Sequence, residues 1–147
     1  MKSEQKYLSQ KPEDTFVLGE KLATSLNGGE VVALYGNLGA GKTAFVQGLA
    51  FALGIKNKVN SPTFNIMKVY KTKHQKIKQL CHIDAYRLSG FQDLLDIGVQ
   101  DYLEDENVVV VIEWAEKVDQ IIKGKKIKIK ISYFKEQQRR INIIYNN

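Results

Sequence analysis

Residues Gly36 to Thr43 read Gly-Asn-Leu-Gly-Ala-Gly-Lys-Thr, a complete G-x-x-x-x-G-K-[ST] phosphate-binding loop. Gly36, Gly39 and Gly41 let backbone N–H groups turn inward around an anion. Lys42 has the reach to meet β- and γ-phosphates, and the Thr43 hydroxyl suits Mg²⁺. At average composition the pattern arises by chance in roughly half a percent of chains of this length. A glycine-rich turn that binds nothing is therefore the weaker reading.

Such a loop needs a partner acid for the metal, usually at the end of a buried strand. Val108 to Ile112 is five consecutive β-branched residues, followed at once by Glu113. A charge placed there is costly unless it meets a cation or water. Asp84 is the second candidate, in His82-Ile83-Asp84-Ala85-Tyr86-Arg87. If that stretch is a strand, His82, Asp84 and Tyr86 share one face and Arg87 takes the other. His82 alone reads as a structural residue, and Cys81 as a small core residue. Trp114, the single tryptophan, could stack in a nucleotide pocket or pack in the core. Ser61-Pro62-Thr63 could bring hydroxyls to a γ-phosphate or be a plain turn.

The elements that must position these groups follow from pattern. Val31 to Tyr35 is a short apolar strand entering the loop. Phe45, Val46, Leu49 and Leu53 recur at helical spacing after it, and Gly54 ends that helix. The loop thus sits at a helix N-terminus, where the dipole favours an anion. An earlier helix starts at Pro12, carries Leu18, Leu22 and Leu26, and stops at Asn27-Gly28-Gly29. Phe64 to Tyr70 and Gln79 to Tyr86 read as a hairpin, and Phe91 to Ile97 as a short helix stopped by Gly98. Two last strands, Lys125 to Ile131 and Arg139 to Ile144, flank the polar turn Lys135 to Gln138. The expectation is an α/β layer fold with a mixed sheet whose last strands are antiparallel.

Composition sets the outer bounds. The 147 residues suit one domain, 1–147, with 44% hydrophobic and 26% charged residues, ordinary for a globular protein. No apolar stretch has the length of a membrane span, and the polar N-terminus does not resemble a signal peptide. The lone Cys81 excludes an internal disulfide framework and a cysteine-based zinc site. These features point to the cytoplasm. The net charge is +6, with much of the excess in Lys71 to Lys78 and Lys123 to Lys130. The second run alternates with Ile127, Ile129 and Ile131, as in a strand with one buried face. Its lysines would block edge pairing, or else mark a nucleic-acid or partner footprint.

In order, Gly-x-Leu-Gly-Ala-Gly-Lys-Thr, Ser61-Pro62-Thr63-Phe64, His-x-Asp-x-Tyr-Arg and Ile112-Glu113-Trp114 resemble the TsaE (YjeE) family. These are bacterial P-loop ATPases required for threonylcarbamoyladenosine modification of tRNA. The resemblance spans about Thr15 to Glu116. It implies a P-loop NTPase-like three-layer fold with a mixed, partly antiparallel sheet. It also implies ATP and Mg²⁺ as ligands, and action with the TsaB–TsaD heterodimer, whose complex ATP hydrolysis would reset. tRNA would be met through that complex. Leu38, Gly39, Ala40, Gly41, Lys42 and Thr43 match the family's ATP-contacting loop, and Thr43 and Glu113 match its Mg²⁺ ligands. Thr15 matches a nucleotide-associated threonine, and Asp84 and Trp114 match further active-site positions. Asn37 and Ala44 depart from the commoner Asp and Thr.

The expected chemistry is ATP hydrolysis, weak alone and partner-stimulated. Lys42 would offset phosphate charge, and Glu113 or Asp84 would hold or orient the attacking water. The alternatives are a small-molecule kinase, a nucleotide-gated binding module without significant hydrolysis, and a direct RNA-binding role.

Overall fold

The protein is described from a computed structural model that covers residues 2–36, 41–62 and 65–146. A seven-stranded sheet runs through it in the order β1-β7-β6-β2-β5-β4-β3. The strands are β1 (Lys2–Ser9), β2 (Val31–Tyr35), β3 (Met67–Lys71), β4 (Gln79–Asp84), β5 (Val108–Glu113), β6 (Lys126–Lys135) and β7 (Gln138–Asn146). β6, β2, β5 and β4 pair in parallel, and β1, β7 and β3 join antiparallel to their neighbours. The mixed sheet and the antiparallel last strands are as the pattern implied.

Two helices cover one face, α1 (Pro12–Ala23) and α2 (Lys42–Ala52). α1 begins with proline and two acids in its first turn, which suit the positive helix end. Asp14 reaches back to accept from the Gln10 N–H at 3.0 Å. Leu22, Phe45, Leu49, Leu80, Val109 and Val111 fill the layer between these helices and the sheet. On the other face lie α3 (Gln92–Asp96), α4 (Gln100–Leu103) and two 3₁₀ turns, Ala115–Lys117 and Asp119–Ile121. Val31, Ala33, Cys81, Ile83, Val110, Ile112 and Leu94 pack there. β5 is buried along its whole length, because both of its faces are covered.

Several expectations are corrected. The polar N-terminus forms β1, which pairs with β7 along its length. α1 ends at Ala23, although Leu26 still reaches the core. α4 was not anticipated. β3 begins at Met67, and Thr63 and Phe64 lie outside the described residues. β4 ends at Asp84, so Tyr86 and Arg87 belong to a turn rather than to opposite strand faces. β6 is not an edge. It lies between β2 and β7, so its lysines do not guard an edge. Lys126 instead approaches Asp119 at 3.7 Å, and Lys128 stands over the Tyr35 ring.

Candidate active site

β2 delivers the chain to Gly36 at the C-terminal edge of the parallel strands, where open α/β sheets bind ligands. Tyr35 anchors that exit by donating its hydroxyl to Asp119 at 2.5 Å. The loop closes at Gly41, the residue before α2, with φ 101°. That left-handed conformation favours glycine over any side chain. Leu38, Gly39 and Ala40 lie outside the described residues.

Lys42, the first residue of α2, is buried. Its ammonium donates to the Gly36 carbonyl at 2.5 Å and lies 3.8 Å from the centre of the Trp114 ring. Burial pulls the Lys42 pKa down, against the opposing pull of Glu113, Glu116 and Asp84. Trp114 holds φ 59° and ψ 44°, a left-handed conformation that is costly for a bulky residue. Its ring also meets that of Tyr86, at 5.0 Å between centroids. The turn after β4 is braced in turn by Lys117, whose ammonium donates to the Tyr86 carbonyl.

Glu113 ends β5 and is 3% exposed. Its Oε2 accepts from the Ser61 hydroxyl at 2.8 Å and from His82 Nε2 at 2.7 Å. Since Ser61 spends its proton on the carboxylate, Thr43 is the donor in the 3.2 Å contact between Thr43 Oγ1 and Ser61 Oγ. Burial alone would push the Glu113 carboxyl up. The bonds from His82 and Ser61, with the nearby Lys42 charge, outweigh it and hold the group below its usual range. With its proton on Nε2, His82 leaves only an Nδ1 lone pair unpartnered in the interior. A buried lone pair costs less than a buried, unpaired charge.

Asp84 is the direct register partner of Glu113 across β4 and β5. It accepts from the Tyr86 N–H at 3.0 Å, which fixes the turn. Burial raises its pKa, and the Glu113 charge adds to that, against Tyr86, His82 and Lys42. Thr15 is also buried. Its hydroxyl pairs with that of Ser9 at 2.8 Å, at the end of β1. A cavity of about 120 Å³ lies between Pro12, Thr15, Gly41, Gln137 and Arg139, beside the closing glycine of the loop.

The fold thus gathers Lys42, Thr43, Asp84, Glu113 and Trp114 at one edge of the sheet, with Thr15 on the other side of Gly41. Two residues earn more than the sequence granted them. His82 is a direct partner of Glu113, and Ser61 is the hydroxyl between Glu113 and Thr43. The signal for His82 was its position two residues before Asp84 on the same strand face.

Among the described residues, no group of three or more His, Cys, Asp or Glu side chains could hold a metal ion by itself. The oxygens of Thr43 and Glu113 nonetheless fit Mg²⁺, which is usually held by one or two protein ligands, phosphates and water. They already converge on one bridging hydroxyl.

The family model described as threonylcarbamoyl adenosine biosynthesis protein TsaE matches residues 9–141. A protein from Treponema pallidum, named tRNA threonylcarbamoyladenosine biosynthesis protein TsaE, is 43% identical over 111 residues, which are 76% of this chain and 78% of the relative. The protein of the same name from Bacillus subtilis is 35% identical over 136 residues, 92% of this chain and 82% of the relative. The crystal structure of Bacillus subtilis YdiB superposes with a TM-score of 0.81 at 28% identity, covering 100% of this chain and 88% of that one. With the matched region running from the end of β1 into β7, the chain belongs to the TsaE family of tRNA threonylcarbamoyladenosine biosynthesis.

Proposed function

We propose that the chain is a Mg²⁺-dependent ATPase that serves threonylcarbamoyladenosine formation on tRNA by acting with the TsaB–TsaD heterodimer. The observation that carries this reading is the chain of contacts Thr43–Ser61–Glu113–His82 beside a buried Lys42. It places a hydroxyl, an ionised carboxylate and an ammonium at the helix N-terminus that follows a phosphate loop.

Each group has a role that its surroundings support. Among the described residues Lys42 has no carboxylate within 4.0 Å; it holds the Gly36 carbonyl and the Trp114 ring. A β- or γ-phosphate would supply an anionic partner and draw it off Trp114. Thr43 and Glu113 would hold Mg²⁺, which when bound supplies charge neutralisation on the phosphates. Ser61 must yield its place between them, which links nucleotide binding to the segment after α2. Asp84, whose carboxyl burial pushes up and which holds one N–H where Glu113 holds two donors, would orient the attacking water. Leu38, Gly39 and Ala40 would complete the phosphate cradle, and Thr15 would border the nucleotide. tRNA would meet this site through the TsaB–TsaD complex.

The test is Mg²⁺-dependent ATP hydrolysis by the protein alone and with purified TsaB and TsaD, using Lys42→Ala and Glu113→Ala as controls. Partner-stimulated hydrolysis lost in both variants supports the reading. ATP binding without hydrolysis in any mixture would make the chain a nucleotide-gated binding module. Phosphate transfer to an added nucleoside would make it a kinase.

A further inference from the structure

Between Glu30 and Asp84 the chain has no aspartate or glutamate, yet it carries eight lysines. One is Lys42 in the candidate active site. The other seven, Lys56, Lys58, Lys68, Lys71, Lys73, Lys76 and Lys78, are all exposed. None of the seven lies within 4.0 Å of a carboxylate among the described residues.

The fold collects most of these charges at one place. β3 is an edge strand, and Lys68 and Lys71 project to its two sides, straddling the open edge. Lys73, Lys76 and Lys78 follow in the turn to β4. α2 runs away from the phosphate loop, and its end meets this turn through the Lys73 N–H to Leu53 carbonyl bond of 3.0 Å. An 11-residue helix spans about 17 Å, so the lysine hairpin stands well away from the nucleotide site.

The hairpin is also held rigid. His74 Nδ1 accepts from the N–H groups of Lys76, at 3.0 Å, and Ile77, at 3.1 Å. The Thr72 hydroxyl donates to the Ile77 carbonyl, and the Lys78 ammonium to the Gln75 carbonyl at 2.9 Å. A lysine cluster that only kept the edge soluble would not need a fixed turn. On the β5 side the patch is bounded by Glu104, Asp105 and Glu106, next to the Lys78 N–H to Asn107 carbonyl bond of 2.7 Å. That change of sign gives the surface a direction.

We propose that the β3 edge and the β3–β4 hairpin form a binding surface for the phosphate backbone of RNA. An extended polyanion matches a rigid row of unneutralised lysines along an open edge. RNA is favoured over an acidic protein because the family's pathway modifies tRNA. The inference does not rest on ATP hydrolysis at the other end of α2.

The test is fluorescence anisotropy of a labelled, unmodified tRNA transcript with the full chain, from 50 to 200 mM KCl. Four lysine–phosphate contacts give a log–log salt slope of about −3 to −4, or about a hundredfold loss of affinity over that range. Two quadruple variants carry the same change of net charge. Replacing Lys71, Lys73, Lys76 and Lys78 by Gln should raise the Kd at least tenfold at 100 mM salt and flatten the slope. Replacing Lys6, Lys123, Lys125 and Lys135 by Gln should leave Kd within about threefold. Lys73→Gln/Lys76→Gln serves as the milder variant, and ATP affinity should be unchanged in all three. Equal losses in the two quadruple variants, or no binding by the native chain, would overturn the proposal. So would competition by polyglutamate that matches unlabelled tRNA at equal charge, which would assign the surface to an acidic protein.

Discussion

Gly48→Ala should loosen both the fold and the candidate site. A Cβ at position 48 would stand 1.9 Å from the Phe16 carbonyl oxygen, where ordinary contact begins at 3.4 Å. The helices must therefore part by about 1.5 Å. Nothing soft can yield, because the obstacle is the α1 backbone. The notch is reciprocal, since a Cβ on Gly19 of α1 would meet the Phe45 carbonyl oxygen of α2 at 2.1 Å. Overpacking costs about 1–3 kcal/mol or more, and a clash with backbone belongs at the upper end. Alanine returns about 1 kcal/mol of helix propensity. The net loss is about 2 kcal/mol, or a fall in Tm of about 4–8 °C for a chain of this size.

The same displacement carries Thr15 away from Gly41. At present Thr15 Cγ2 lies 4.0 Å from where a Cβ on Gly41 would stand. ATP affinity should fall with stability, read by titration below the lowered Tm. Gly90→Ala is the control, since nothing lies within 4 Å of its added Cβ, and it should move Tm little. A Gly48→Ala protein with native Tm would refute the close approach of α1 and α2.

Four further outcomes follow. Lys42→Ala should lower ATP turnover at least a hundredfold, with the circular dichroism spectrum unchanged. His82→Ala should cost about 2–4 kcal/mol by denaturant titration, because it removes a buried hydrogen bond to a charge and leaves a cavity; native stability would mean that Glu113 does not depend on it. Asp84→Asn should raise Tm at neutral pH while ATP hydrolysis falls. Since the folded pKa of Asp84 is raised, that gain is full above the folded value, shrinks as pH falls through it, and is gone below the ordinary value of 3.8. Glu113 has the opposite sign: its contribution is present above the ordinary value of 4.5 and is lost as pH falls through the lowered folded value, so Glu113→Gln should destabilise at pH 7 and less so in acid.

The parts of this fold that were legible in the sequence are those that report on their own burial. Val108 to Ile112 could be read as a core strand because each residue is covered on its own account. The glycine loop between β2 and α2 was legible because it needs a fixed local spacing. β1 was not, since six of its eight residues are polar, Ser3 to Lys6 are exposed, and pairing with β7 alone demands no apolar period. β6 shows where local pattern stops. Ile127, Ile129 and Ile131 revealed a buried face, but not which strands lie on either side. Its lysines looked like edge guards, yet the strand is interior, and Lys126 and Lys128 reach Asp119 and the Tyr35 ring instead.

The same limit explains the site. Glu113 and Asp84 could be picked out singly, each as an acid at a strand end. Their relation is a matter of register, which parallel pairing over Gln79–Asp84 and Val108–Glu113 settles. That register sets Asp84 opposite Glu113 and puts His82 on the same face, within reach of the Glu113 carboxylate. One consequence is that the two acids sit in different surroundings: Glu113 has two donors that hold its pKa down, while Asp84 has one N–H and a raised pKa. A slip of β4 by one residue would turn His82 and Asp84 to the other face and bring Cys81 and Ile83 to the site. The apolar runs that fill the two core layers therefore also decide which acid can face the phosphate loop.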